Sequence, residues 1–498
     1  MKKREKGFAL MTVLVFFLVL LILGVGGAII TQMGYFSIAS EAKYSVAEKN
    51  ANKGLMKALE NRNCTNFQGG SLLNGYIVKA FNDTENNYCF AWAEGWYMGA
   101  KVVKTSIFSL QVPWAAAIYK NLNSTNILGS AAIVGYDPEG NSCSDNDSCI
   151  GYALITGNPL NLSYNSTPCY TDPQNFKGLI STKTPYVNDE TLLQTDLTSK
   201  LFNAGNRTQL LEKLSQAFQV NFNNGTPTGL VNPEINLPVN SCTAEGNTIT
   251  CGTGKDADKF TWDNSTKAYI YNKDNNYYSK IDFGNAQITF MGKFEGGGYI
   301  AGGNITFSGD VNPTSSLVLV ARDKITLSHC KINISNTFMF SKNYYIEARH
   351  SSTIKNGIIY SGGPGGELEI SIKGGCCDKT SFGTIEEPIL IISDNNLEGI
   401  NTRCGCGEGG NGEFWGAIFV TDANNNFNLE GKGNLSIHGV IISSSNSNNI
   451  NLRGNFELRF NFKVLKNLYK NLSQFNLLRN PVCLSKKNLF TLFTMRTY

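Results

Sequence analysis

Three groups of residues in this sequence could do chemistry: 13 cysteines, three histidines and one acidic loop. Cys143 with Cys149, and Cys242 with Cys251, read as two small loops closed by disulfides. Cys376-Cys377 and Cys404-Gly405-Cys406 supply four more thiols. Four thiolates can hold zinc, but these lack the paired C-x-x-C spacing of a structural zinc ribbon, so disulfides are expected, with connectivity left open. An odd number of cysteines leaves one over, and Cys483, alone in a basic C-terminal stretch, is the candidate for a bond to another chain. His329, His350 and His438 are scattered without H-x-x-x-H or H-E-x-x-H spacing, which points to structural histidines and no metal. Asp137, Glu139, Asp145 and Asp147 gather carboxylates in one loop. Calcium takes oxygen ligands at short spacing, yet no D-x-D-x-D-G run with a distal Glu is present, so a solvated loop is expected and calcium binding stays open. Glycan-cleaving enzymes need a pair of acids across the scissile bond, and no adjacent Asp pair occurs. Gly362-Gly363-Pro364-Gly365-Gly366 lacks the Lys-Ser/Thr of a phosphate-binding loop. The reading is therefore a protein with no catalytic residues and no cofactor.

The elements that position these residues are foreshadowed by composition. With 43 basic and 39 acidic residues the net charge is +4, too little clustered excess for a nucleic-acid partner. The chain has 59 Asn and 50 Gly against 13 Pro. Asn and Gly tolerate the left-handed conformation of tight turns, so many short strands are expected.

The first sixty residues follow a different rule. Lys2, Lys3, Arg4 and Lys6 form a basic head, and Phe8 to Ile30 contains no charge and a single polar side chain, Thr12. Such a run spans roughly 34 Å as a helix, enough to cross a bilayer, with the basic head on the cytoplasmic side. It is longer than the apolar core of a cleavable secretory signal, and no A-x-A site follows. A simple single-pass anchor is one reading. Beyond the apolar run, Ala47, Ala51, Leu55 and Leu59 recur at i+4 spacing among Glu41, Lys43, Glu48 and Lys53, so the helix continues as an amphipathic segment. Gly24, Gly26 and Gly27 interrupt it, either for close helix packing or as a segment that melts on leaving the bilayer.

The run Lys6-Gly7-Phe8-Ala9-Leu10-Met11 resembles the N-terminus of type IV pilins and pseudopilins, and Ala47-Glu48 with Ala51 resembles the PilX-type minor pilins. That resemblance implies cleavage after Gly7 by a prepilin peptidase and N-methylation of Phe8. It also implies insertion in the inner membrane, then assembly with other pilin subunits through the helix into an extracellular fibre. In that family a Glu at the fifth mature position neutralises the terminal amine of a neighbouring subunit; here Thr12 stands there. An uncompensated charge in an apolar core is costly, so a minor subunit near the tip is expected rather than a bulk protomer. A tip adhesin or a surface glycan is the expected outer partner. The alternative is a single-pass surface protein that binds or acts on glycans.

The rest of the chain divides as follows: a leader at 1–7, the helix at 8–60, a small sheet region at 61–112, a β body at 113–462, and a basic tail or cap at 463–498. Tyr76-Ile77-Val78-Lys79-Ala80-Phe81 and the Val102–Leu110 run read as strands of the small sheet. Short Ile/Val/Leu runs broken by Asn and Gly, such as Tyr299–Gly309, Gly357–Tyr360 and Ile389–Ile392, fit a single-stranded right-handed β-helix, or solenoid, with stacked coils. A β-sandwich with long insertions is the alternative. Leu192 to Phe218 carries helical spacing, so a short helical insertion is expected near 191–218. Leu465, Leu468, Leu472 and Phe475 give the tail an apolar face that can cover an open end.

Overall fold

The computed structural model describes residues 2–60, 67–83, 88–109, 114–128, 131–135, 152–156, 197–327, 333–349, 352–373, 380–394, 396–402, 411–421, 426–432, 434–453, 456–481 and 493–497. The chain forms two compact units, Met1–Gln111 with Lys487–Tyr498, and Val112–Lys486. It is mainly β with one long N-terminal helix, as expected.

The first unit pairs the helix Lys2–Glu60 with an antiparallel sheet. Its strand order is Phe67–Ser71, Tyr76–Asp83, Tyr88–Tyr97, Ala100–Ser109 and Phe493–Thr497. The central hairpin turns on Met98-Gly99, both at positive φ, the two-residue geometry that matches strand twist. Tyr76, Val78, Ala80, Ala91, Ala93, Ala100 and Val102 are buried, and the helix contributes Tyr44, Ala47, Ala51 and Leu55.

The second unit is dominated by parallel pairing. Its strands Gln287–Phe294, Asp310–Val311, Asn333–Ser335, Thr353–Lys355, Thr380–Phe382 and Asn411–Val420 pair in succession. From Asn411–Val420 the pairing returns through Ile389–Ser393, Ile358–Ser361, Thr337–Arg349, Leu317–Leu327 and Gly298–Phe307 to Gln287–Phe294. These strands close an 11-strand parallel β-barrel, which overturns the single-stranded right-handed β-helix expected for 113–462. The physical reason is that several strands turn a corner and use their two halves for different neighbours. Gly298–Phe307, for instance, pairs through 299–301 with Lys280–Asp282 and through 304–307 with Gln287–Phe294. Chain order is also broken. Ala115–Tyr119, earliest in the unit, pairs with Asn434–Ser443, one of its last strands.

The two halves of the long strands live in different surroundings. Leu317–Ala321 is buried throughout, as are Ile358–Ser361, Ile389–Ser393 and Ala115–Tyr119, so both faces of this part of the sheet are covered. The second half of Leu317–Leu327 instead ends in alternation, with Ile325 and Leu327 buried and Thr326 between them part-exposed. The cover over the buried part comes from the helices Thr198–Leu201, Arg207–Phe218 and Phe462–Leu472 and the hairpin Val220–Leu230. Phe218 lies 4.9 Å from Phe338 and 4.6 Å from Phe475, and Phe202 lies 4.9 Å from Phe419, ring centre to ring centre. Leu465, Leu468 and Leu472 are buried in the same layer. Polar ties fix the cover: Arg207 Nε donates to Asp394 Oδ1 at 2.6 Å, and the Tyr360 hydroxyl donates to the Gly225 carbonyl at 2.8 Å. Burial, with the neighbouring Asp394 charge, pushes the Tyr360 phenol well up. At the start of the ladder an antiparallel meander, Ser241 to Tyr278, packs Phe260, Trp262, Tyr269 and Tyr271 inward, and Cys242 and Cys251 are joined as a disulfide across its first hairpin.

Asn336 and Asn356 occupy successive corners at φ 47° and 50°, and the Asn356 amide donates to the Asn336 side-chain oxygen. Left-handed backbone costs an ordinary residue about 1–2 kcal/mol and a lost hydrogen bond about 1 kcal/mol. Asn356→Ala is therefore expected to lower stability by about 2 kcal/mol and Asn356→Gly by less, read by denaturant unfolding of the full chain. Lys200 supplies a second test. Its half-buried ammonium sits 4.1 Å from the Trp114 ring centre, and burial, then the Arg479 charge, holds the amine down at about 7. The unfolded chain keeps that proton up to the usual 10.5, so between about pH 7 and 10.5 the unfolded state binds more protons and this residue makes stability rise with pH. Lys200→Met should flatten that part of the stability–pH curve; an unchanged slope would contradict the assignment.

Candidate functional site: the apolar helix and its docking sheet

The helix Lys2–Glu60 is unbroken over 59 residues, a length of about 88 Å at 1.5 Å per residue. Its outer part is long and apolar enough to cross a membrane, starting from Met11. Along that part the large apolar side chains are open: Met11 is 69% exposed, Phe17 68%, Ile30 72% and Ile38 73%. Among the described residues, nothing lies within 4 Å of where a β-carbon would stand on Gly24, Gly26, Gly27 or Gly34. Thr31 returns its hydroxyl to the Gly27 carbonyl at 2.8 Å, which hides a polar group on an apolar surface.

Docking begins at Tyr44, more than three turns beyond Thr31. Tyr44, Ala47 and Ala51 are buried against the sheet, and the contact depends on Gly95 in the strand Tyr88–Tyr97. A β-carbon on Gly95 would overlap the Ala47 carbonyl oxygen and the Ala51 amide nitrogen. The approach is thus backbone to backbone, which only glycine in the strand and alanine on the helix permit. Asn50 donates its side-chain amide to the Trp96 carbonyl at 2.9 Å. Lys104 reaches Glu48 Oε1 at 2.8 Å and Asn52 Oδ1 at 3.0 Å. Lys53 lies 5.8 Å from the Tyr76 ring centre and Lys101 4.9 Å from that of Trp96.

The residues singled out in the sequence fall in three places. Gly7 and Phe8 lie within the helix, and Thr12 is on its exposed stretch. Cys242 and Cys251 form their disulfide far along the chain. His438 stacks face to face on Trp415 at 3.9 Å, with the Trp415 indole N–H donating to Glu413 at 3.1 Å. Cys143, Cys149, Cys376, Cys377, Cys404, Cys406, Cys483, His329, His350 and the acidic loop 137–147 lie outside the described residues. Among the described residues no cluster of three or more His, Cys, Asp or Glu side chains could hold a metal ion. Sequence reasoning passed over Gly95, whose signal was present: a glycine inside an otherwise aromatic strand marks a close backbone approach.

No family model matches the chain, and no curated protein matches it. Among solved structures, the competence-associated pilin ComZ from Thermus thermophilus is similar over 87% of this chain and 87% of its own, at 10% identity and a TM-score of 0.24. A likeness of that order establishes neither fold nor role.

Because overpacking costs about 1–3 kcal/mol, Gly95→Ala should loosen the helix from the sheet. Hydrogen exchange at 44–55 should quicken while exchange in Val112–Lys486 stays unchanged; unchanged protection at 44–55 would contradict the close approach.

Proposed function

We propose that the chain is a pilin-like structural subunit of a type IV pilus or a related pseudopilus. Its helix is held in the inner membrane before assembly and packs among the helices of other subunits afterwards. The observation that supports this most is a single helix with two environments. One end is docked by small residues onto an antiparallel sheet, and the other presents bare Leu, Ile, Val and Phe all round. A helix apolar on every side requires lipid or other apolar helices around it. The leader is cut after Gly7 by prepilin peptidase and Phe8 is methylated. The Val112–Lys486 unit stands outside the cell as an assembly or adhesive surface and is not catalytic.

Thr12 supports a minor role at or near the tip. Without a carboxylate to meet a neighbour's terminal ammonium, this subunit does not propagate through an apolar core. N-terminal sequencing of membrane-purified protein is expected to begin at methyl-Phe8; a retained Met1 would defeat the reading. Thr12→Glu is expected to spread the subunit along fibres seen by immunolabelling, and unchanged tip placement would overturn the part assigned to Thr12.

A further inference from the structure

Lys104 occupies a place that its strand otherwise gives to apolar side chains. Along Ala100–Ser109, Ala100 and Val102 face the helix and are buried, and Lys104 continues that row at 6% exposure. A cation there loses hydration and must be matched. Two side chains one helical turn apart meet it, Glu48 Oε1 at 2.8 Å and Asn52 Oδ1 at 3.0 Å from Nζ. A simple ion pair needs only the first. The second sets a carboxamide carbon, one bond from Oδ1, beside the same nitrogen. Amine, carboxamide and carboxylate are therefore gathered at one point by a helix and a strand that the Gly95 contact holds in register.

We propose that Lys104 and Asn52 form an intramolecular amide bond, with Glu48 as the proton carrier. Glu48 takes a proton from the Lys104 ammonium, and the freed Nζ pair attacks Asn52 Cγ, so that a C–N bond forms and the carbonyl pair moves to Oδ1. Glu48 returns the proton to Nδ2, the carbonyl re-forms, and the Cγ–Nδ2 bond breaks to release ammonia. The Nζ of the intermediate gives up its second proton to that ammonia through Glu48. One ammonium and one carboxamide become one secondary amide and one ammonium ion, with no oxidant and no other reactant. Fixed contact supplies the effective concentration such an exchange needs. Asn52 is on the exposed rim, so the ammonia escapes to water and is diluted.

The bond would join helix to sheet covalently where the contact otherwise rests on close alanine–glycine packing, one hydrogen bond from Asn50 and an ion pair. A pull along the helix would then be carried by covalent structure. This chemistry does not depend on the fibre reading, and its test is separate from the N-terminal one. Tandem mass spectrometry of a digest of the full-length protein should give a branched peptide joining the segments around Asn52 and Lys104, lighter by one ammonia than the two apart. Asn52→Asp should give the same branch with one water lost, and Glu48→Gln should give linear peptides. Linear peptides from the wild-type protein, with Asn52 and Lys104 unmodified, would overturn the proposal. A branch at full yield in Glu48→Gln would overturn the role given to Glu48.

Discussion

A helix can be buried by a sheet only for as far as the sheet is wide, and this constraint organises the N-terminal unit. The helix meets four of the five strands, Phe67–Ser71 to Ala100–Ser109, which at about 4.8 Å spacing span roughly 14 Å, or about 10 residues of helix. The docked stretch runs from Tyr44 to Leu55. Everything from Met11 to Ile38 lies beyond the reach of that sheet and keeps its apolar side chains bare. Burying them is worth about 25 cal/mol per Å², so a bilayer or a bundle of like helices is a strongly favoured environment for this segment. Docking itself gains little area from alanine and glycine. What it gains is proximity, close enough for Asn50 to reach the Trp96 carbonyl and for Lys104 to meet Glu48 and Asn52.

The Val112–Lys486 unit solves the opposite problem, covering a sheet that is apolar on both faces. The runs Leu317–Ala321, Ile358–Ser361 and Ile389–Ser393 have no alternation because neither side meets water. Phe202, Phe218, Leu465 and Leu468 form the second layer, and the Arg207–Asp394 pair ties it down. Asn at corners such as Asn336 and Asn356 lets the chain turn in left-handed backbone.

The long helix was legible because twenty-three residues without charge admit few alternatives, and the i+4 alanines announced the docked face. The short strands were legible too, from Ile/Val/Leu runs cut by Asn and Gly. Their closure into a barrel was not. Whether a strand such as Gly298–Phe307 serves one neighbour or two depends on a corner within it, at Gly302–Gly303, and on pairing with residues far away. The same limit hid the pairing of Ala115–Tyr119 with Asn434–Ser443, far along the chain. At the docking face, Lys104 continues the inward row of Ala100 and Val102 and pairs with buried Ala93, so it is register that turns it toward the helix.

The central claim is that one helix lives in two environments, lipid along its outer part and protein along its inner part. Nitroxide scanning of the full-length protein in lipid bilayers measures this most directly. Labels from Val13 to Ile30 should be accessible to dissolved oxygen and shielded from a water-soluble quencher, while labels at Lys43 and Lys49 should be open to the quencher. Free access of the quencher along Val13 to Ile30 would contradict the account.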